Sequence, residues 1–327
     1  MLYFNLATQS SEIKRIFHYA NPLPKSNAVY SESESVDVTI TTKPIKVDLD
    51  ILGLGHSLLK ERNLNIYGDG VYITKYMEGK VLIYTDVKKR KTVGYICEDV
   101  ENTYKTMRYA GWIRSHIIYH LVANNYFVLH AAGIVDEDCN LYIIIGESQS
   151  GKSTFVLDAL TRGNYKIISD DRLVISPDMN MVLGNSRYVR CCMSDVSNYS
   201  KAADSITAIN SGIYGKMAFG ISDNRRLDSI SLNPSKKVHI VFLDARMACK
   251  DSIKNLDIIQ FGSLINATQK EQYPYTFSKQ MDRLVDILSQ YNMVQIKRNE
   301  EGRNYSIFQQ YYCHNGNEKG ESGERAE

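Results

Sequence analysis

The stretch IIIGESQSGKSTFVLDALTRGNYKIISDDRLVI, residues 143 to 175, decides how this chain is read. Residues 146 to 153, Gly-Glu-Ser-Gln-Ser-Gly-Lys-Ser, satisfy G-x-x-x-x-G-K-[ST] at every fixed position. The flanking pattern supplies the context that motif needs. An apolar strand, LYIII, leads in, and the segment KSTFVLDALTRG leads out as a helix with Gly163 as its stop. Glycines at both ends of the loop let successive N–H groups turn inward, and the helix N-terminus adds the positive end of its dipole. The expected result is a phosphate nest formed by Gly146, Glu147, Ser148, Gln149, Ser150, Gly151, Lys152, Ser153 and Thr154. Lys152 would reach the β and γ oxygens of a nucleotide, and the Ser153 hydroxyl would be a ligand of Mg2+.

The same stretch closes on a second predicted strand, IISDD, that ends in Asp170 and Asp171. A strand, a helix and a second parallel strand place the two strand ends side by side, so both carboxylates are expected near the loop. Neighbouring carboxylates repel, which raises the pKa of one and suits it to proton transfer. Asp170 is read as the base and Asp171 as the metal-side carboxylate, an order that the residues alone leave open. His130 closes the strand YFVL upstream and is expected at the same sheet edge, where it would orient or tune a carboxylate.

The rest of the chain frames this unit. Residues 1–102 show alternating apolar strands such as VDVTITT, LNIYGDGVYITKY, KVLIYTDV and KTVGYICE, divided by glycine turns, and predict a β-rich domain. The basic run Lys88-Lys89-Arg90-Lys91 falls between two of these strands and reads as a solvated hairpin loop. Helical spacing from Thr103 to Ala123 opens the second domain, residues 103–315, and the polar residues 316–327 read as a disordered tail. Further on, VHIVFLDA predicts a buried strand, and a helix is expected from Thr276 to Tyr291. Asp244, at the end of VHIVFLDA, resembles a magnesium carboxylate by the apolar run that precedes it, but its distance from the loop and the better-placed Asp170 and Asp171 favour a structural reading.

Between Met181 and Ile240 there are eight Lys or Arg against four Asp. Arg187, Arg190, Arg225 and Arg226 are the candidates there for gripping a phosphate or an acidic acceptor. Elsewhere the composition is unexceptional. A formal charge of +2, with 43% apolar and 23% charged residues, gives no argument for nucleic acid or for a membrane surface. Six cysteines without C-x-x-C spacing, no long apolar run and no signal-peptide pattern give the expectation of a cytoplasmic protein. The 23 tyrosines have no explanation at this level.

The order LHAAGIV, IIIGESQSGKST and RGNYKIISDDRLVI resembles the catalytic domain of the HPr kinase/phosphorylase group, and more closely its shorter HPr-kinase-like relatives. The resemblance covers roughly residues 105 to 192. It implies an α/β fold, a P-loop kinase domain of the HPr kinase and PEP carboxykinase-like type on a mixed sheet, preceded here by the smaller β-rich domain. It also implies phosphoryl transfer from ATP with Mg2+, with proton transfer at Asp170 and with Asp171 and His130 beside it. The glycine-rich signature that accompanies phosphorolysis in the bifunctional enzymes is not found in NSRYVRCCMSD, which favours a kinase alone. Relatives of similar layout act in peptide modification, including lasso-peptide tailoring. By that analogy the expected partner is a peptide or small-protein substrate, with homo-oligomer formation left open. A small-metabolite kinase and a non-catalytic nucleotide-binding module remain the alternatives.

Overall fold

The computed structural model describes residues 2–23, 35–43, 64–68, 70–76, 80–97, 103–185, 188–192, 196–199, 206–213, 216–232, 237–244, 252–269, 277–297 and 304–317. The chain is a mixed α/β protein with several sheets, and it divides into two compact units. The first comprises residues 1–128 with 174–178 and 211–215, and the second the remainder. Among the described residues no helix is long and apolar enough to cross a membrane.

The first unit contains β1 (Tyr3–Ala7), α1 (Ser11–Ala20), β2 (Ser35–Thr41), β3 (Leu64–Gly68), β4 (Val71–Tyr76), β5 (Val81–Asp86), β6 (Lys91–Ile96) and α2 (Thr103–Ala123). Its six strands are ordered β1-β2-β6-β5-β4-β3. Strands β3 to β6 form an antiparallel meander, as their alternation and glycine turns predict, while β1, β2 and β6 run parallel. The basic run is the β5–β6 turn, where the Lys89 N–H donates to Asp86 Oδ1 at 3.0 Å and Arg90 takes a positive φ of 49°.

Helix α2 has the bounds expected from its spacing, but it belongs to the first unit and not to the one that follows. It packs on α1 and on β5, burying Ile113, Ile117 and Leu121 together with two histidines. Thr85 and Thr92 face each other across β5 and β6 with their hydroxyls 2.6 Å apart. His116 Nδ1 lies 2.9 Å from the first hydroxyl and His120 Nε2 lies 3.0 Å from the second. Apolar periodicity finds such a helix but cannot say which of two sheets its face will cover.

The chain continues through β7 (Phe127–Leu129) to β8 (Ala131–Val135), β9 (Leu141–Gly146), α3 (Lys152–Arg162), β10 (Lys166–Ser169) and β11 (Leu173–Ile175). There follow β12 (Met181–Leu183), β13 (Tyr188–Cys192), α4 (Val196–Tyr199), β14 (Ile206–Ile213), β15 (Lys216–Ile221) and β16 (Ser229–Ser231). The last elements are β17 (Val238–Asp244), β18 (Ser252–Asn255), α5 (Ile258–Gln269), α6 (Phe277–Leu288), β19 (Asn292–Lys297) and α7 (Asn304–Asn317).

The second unit is organised on the mixed sheet β10-β8-β9-β17-β19-β18. Strands β9, β17 and β19 are parallel, β8 is antiparallel to β9, β10 is antiparallel to β8, and β18 is antiparallel to β19. Every residue of β8 and of β9 is buried, which explains why both read as unbroken apolar runs. Asp136 closes the β8–β9 hairpin by accepting from the backbone N–H and the side-chain Nδ2 of Asn140, each at 2.8 Å. The run YFVLHAAGIV is two strands, because the chain bends at His130 between β7 and β8.

Helix α6 buries Met281, Leu284 and Leu288, as its spacing predicts. Helix α7 has no counterpart among the sequence-based expectations, and it reaches Asn317, into the segment expected as tail; residues 318–327 lie outside the described ones. Its Tyr305, Phe308 and Tyr312 interleave with Phe155, Tyr142 and Tyr165 at ring-centroid distances of 5.1 to 6.3 Å. Part of the tyrosine content is therefore core packing, in which the rings contribute area and edge-to-face contacts.

Candidate functional site

The loop after β9 is shaped by two close constraints. A Cβ on Gly146 would stand 2.3 Å from Ser150 Oγ and 2.7 Å from the Leu243 carbonyl oxygen, so no larger residue fits without opening the loop. Gly151 takes φ 94°, a conformation that other residues rarely adopt, and forms the N-cap of α3 without a side-chain capping bond. Gln149 also has a positive φ, of 67°. Lys152 is buried at the first position of α3 and folds back over the loop, where Nζ donates to Gly146 O at 2.7 Å and to Glu147 O at 2.9 Å. Glu147, Ser148 and Gln149 are exposed at the rim, while Ser153 and Thr154 are half-buried in the first turn. At the far end of α3 Gly163 does stop the helix, but in an extended conformation. A Cβ there would meet the Tyr165 ring at 2.7 Å and Tyr305 OH at 2.8 Å, so packing and not a left-handed turn requires this glycine.

The aspartate pair reaches the same edge by a different route from the one expected. Strand β10 is not beside β9, since β8 lies between them and runs antiparallel to both. Two reversals restore the direction, so the end of β10, the start of β8 and the end of β9 coincide. Ala131 pairs with Ile145, which puts His130 level with Gly146.

Asp170 is buried, and its Oδ2 accepts from the Arg190 N–H at 3.2 Å. Burial pushes its carboxyl up to about 6, and the negative charge of Asp171 adds to this. The Arg190 guanidinium, the Ser153 hydroxyl and the Arg190 N–H pull in the other direction. The Ser153 hydroxyl acts at longer range, for among the described residues no donor meets hydrogen-bond geometry at Asp170 Oδ1.

Asp171 is more open and is surrounded by cationic or protonatable groups. Its Oδ1 accepts from Arg172 NH1 at 3.0 Å and lies 3.3 Å from His130 Nε2, and its Oδ2 is 3.6 Å from Arg190 NH2. Burial lowers the pKa of His130, against the pull of Asp171, with Arg172 and Lys152 lowering it further. Arg172 was not among the candidates, although its place directly after the aspartate pair was the available signal.

The arginine candidates separate. Arg190 belongs to the site, whereas Arg187 lies outside the described residues. Arg225 donates from NH1 to the carbonyls of Gly163 and Tyr165, both at 3.3 Å, and so closes the C-terminal end of α3. Arg226 pairs with Asp223 and bridges Ile167 on β10. Both therefore sit at the opposite end of α3 from the loop and cannot grip a phosphate there. A local excess of positive charge carries no information about which end of the sheet a residue joins.

Asp244 moves the other way. Strand β17 is the immediate neighbour of β9, with Leu243 paired to Gly146, so Asp244 stands beside the loop despite its distance in sequence. Its buried carboxylate accepts from Gln295 Nε2 at 2.9 Å and lies 3.5 Å from Lys297 Nζ. Gln295 and Lys297 carried no recognisable signal in the sequence.

Among the described residues no three His, Cys, Asp or Glu converge to hold an ion. One hydroxyl and buried carboxylates beside a cradle that a Cβ would fill suit a hard, oxygen-preferring ion such as Mg2+ that shares its shell with phosphates and water. No protein-family model matches the chain, and no curated protein matches it either.

Proposed function

We propose that the chain is a kinase that transfers the γ-phosphate of ATP to a hydroxyl, with a serine of a peptide or small protein as acceptor. The observation that carries this reading is the meeting, at one sheet edge, of the glycine loop with its folded-back Lys152 and a buried aspartate whose pKa is about 6. A loop of this kind alone fits hydrolases as well as kinases. An added carboxylate with a pKa close to neutrality suits removal of a proton from an attacking hydroxyl.

In this reading the loop N–H groups and Lys152 hold the phosphates, and Asp170 accepts the proton of the acceptor. Asp171 fixes Arg172 and Arg190, so that a guanidinium can face the charge that develops on the transferred group. His130 sets the orientation of Asp171 and is mostly neutral at pH 7, because burial lowers its pKa. Ser153 and a neighbouring carboxylate would hold Mg2+, which would offset phosphate charge when bound. The fold type follows the resemblance to HPr-kinase-like proteins, and the peptide acceptor rests on that analogy.

The test uses labelled ATP with two acceptor pools, peptides and small metabolites. Transfer to the peptide pool is expected, with Asp170→Asn inactive but still binding ATP and Lys152→Ala impaired in both. Transfer only to metabolites would replace the acceptor class. ATP binding without any transfer would leave a nucleotide-binding module, and full activity in Asp170→Asn would remove the base assignment.

A further inference from the structure

We infer that Ser169 is a positioning residue that sorts the aspartate pair, its hydroxyl bracing the bend that turns Asp170 inward and Asp171 outward. The inference rests on the kinase reading above, in which Asp170 takes the proton of the acceptor. It begins at the strand that carries the pair. Ile167 pairs with Ile134 but Ser169 pairs with Gly133, so β10 holds one extra residue, Ile168, against β8. A bulge of this kind re-aims the side chains at the end of a strand.

Close packing pins both ends of the bend. A Cβ on Gly184 would stand 2.2 Å from the Ile168 carbonyl oxygen before it, and a Cβ on Gly133 would stand 2.4 Å from Leu173 Cδ1 after it. Between these fixed points Ser169 to Arg172 form a bend without the main-chain hydrogen bond of a closed β-turn. The Ser169 side chain takes that place. It is buried, and its Oγ accepts from the Arg172 N–H at 3.1 Å and donates to the Arg172 carbonyl at 2.5 Å. One hydroxyl thereby fixes the peptide groups on both sides of the Arg172 Cα.

The tip that depends on this brace is Asp170 and Asp171, the first buried and the second half-buried. One oxygen of Asp170 accepts from the Arg190 N–H at 3.2 Å, and the other meets no donor in hydrogen-bond geometry among the described residues. One bond of that length leaves the direction of the carboxylate to its backbone. Arg172 returns over the tip, where NH1 donates to Asp171 O at 2.8 Å and to Asp171 Oδ1 at 3.0 Å. The hydroxyl therefore acts through Asp170 on the proton transfer and through Arg172 on the placing of a guanidinium. Its loss would leave the chain pinned at Ile168 and Leu173 and release the two carboxylates between them.

The test sets Ser169→Ala beside Ser169→Thr, which keeps the hydroxyl. With labelled ATP and a pool of serine peptides, Ser169→Ala is expected to lower kcat about 10- to 100-fold. KM for ATP, ADP affinity and the melting profile should stay close to wild type, and Ser169→Thr should recover most of the rate. Amide hydrogen exchange followed by NMR, with the arginines isotope-labelled, needs no activity. In Ser169→Ala the Arg190 amide, which holds Asp170, should exchange about tenfold faster. Wild-type kcat in Ser169→Ala, wild-type protection of the Arg190 amide, or a folded Ser169→Thr as slow as the alanine variant would overturn the assignment. Absence of transfer by the wild-type chain would overturn the kinase reading, whereas faster Arg190 exchange in Ser169→Ala would still support the brace.

Discussion

Replacing Asp170 by Asn should make the second unit more stable while it removes the proposed base. Burial raises the Asp170 carboxyl from 3.8 to about 6 in the folded chain. Below pH ~4 both states are protonated, and the site adds nothing to the pH dependence. Between ~4 and ~6 the unfolded chain has released the proton and the folded chain has not, so wild-type stability falls as pH rises. Above ~6 the loss is complete and amounts to about 3 kcal/mol, at 1.36 kcal/mol per pKa unit. Asn keeps an acceptor for the Arg190 N–H and carries no charge, so it recovers up to that amount at pH 7.5 and almost none at pH 4. The assay is urea unfolding of both proteins across this range, followed by far-ultraviolet circular dichroism. Destabilisation by Asp170→Asn at pH 7.5, or a gap between the proteins that does not close toward pH 4, would refute an uncomfortable buried carboxylate at this position.

Transfer should show an acid limb near pH 6 in kcat/KM, with about nine-tenths of Asp170 ionised at pH 7 and about one-tenth at pH 5. Arg190→Met removes the guanidinium that favours the charged form and should move that limb to higher pH, whereas an unmoved limb would point to another base. In the first unit His120 is held at about 4 by burial, so its neutral pairing with Thr92 is fully effective above pH 6.5 and is lost as pH falls toward 4. This amounts to on the order of 3 kcal/mol. The single tryptophan, Trp112 on α2, should report acid unfolding over that window, and His120→Asn should flatten it. Gly146→Ala should cost at least tenfold in nucleotide affinity and about 1–3 kcal/mol in stability, measured by calorimetry and by melting. Wild-type affinity in that variant would contradict the clash with Ser150 and Leu243.

Much of the local structure was legible in the residues themselves. The glycine loop between a buried strand and a helix, the meander of the first unit, the bounds of α2 and the buried strand β17 all follow from apolar periodicity and turn chemistry. The partnership of His130 with the aspartate pair was also expected, and the 3.3 Å contact with Asp171 accords with it. These are properties of short stretches, in which a backbone conformation is set by neighbours a few residues away.

The order of strands is not such a property. Strands β8, β9 and β17 are each buried on both faces and read alike, so nothing in their pattern says that β8 separates β9 from β10 or that β17 lies against β9. That order brings Asp244 and Lys297 to the loop, sends Arg225 and Arg226 to the far end of α3, and assigns α2 to the first unit. Sequence by itself determined where the glycine loop, its lysine and the aspartate pair lie along the chain. Tertiary structure decided which charges stand beside them, because burying apolar faces selects the neighbours and the polar ends of the strands follow.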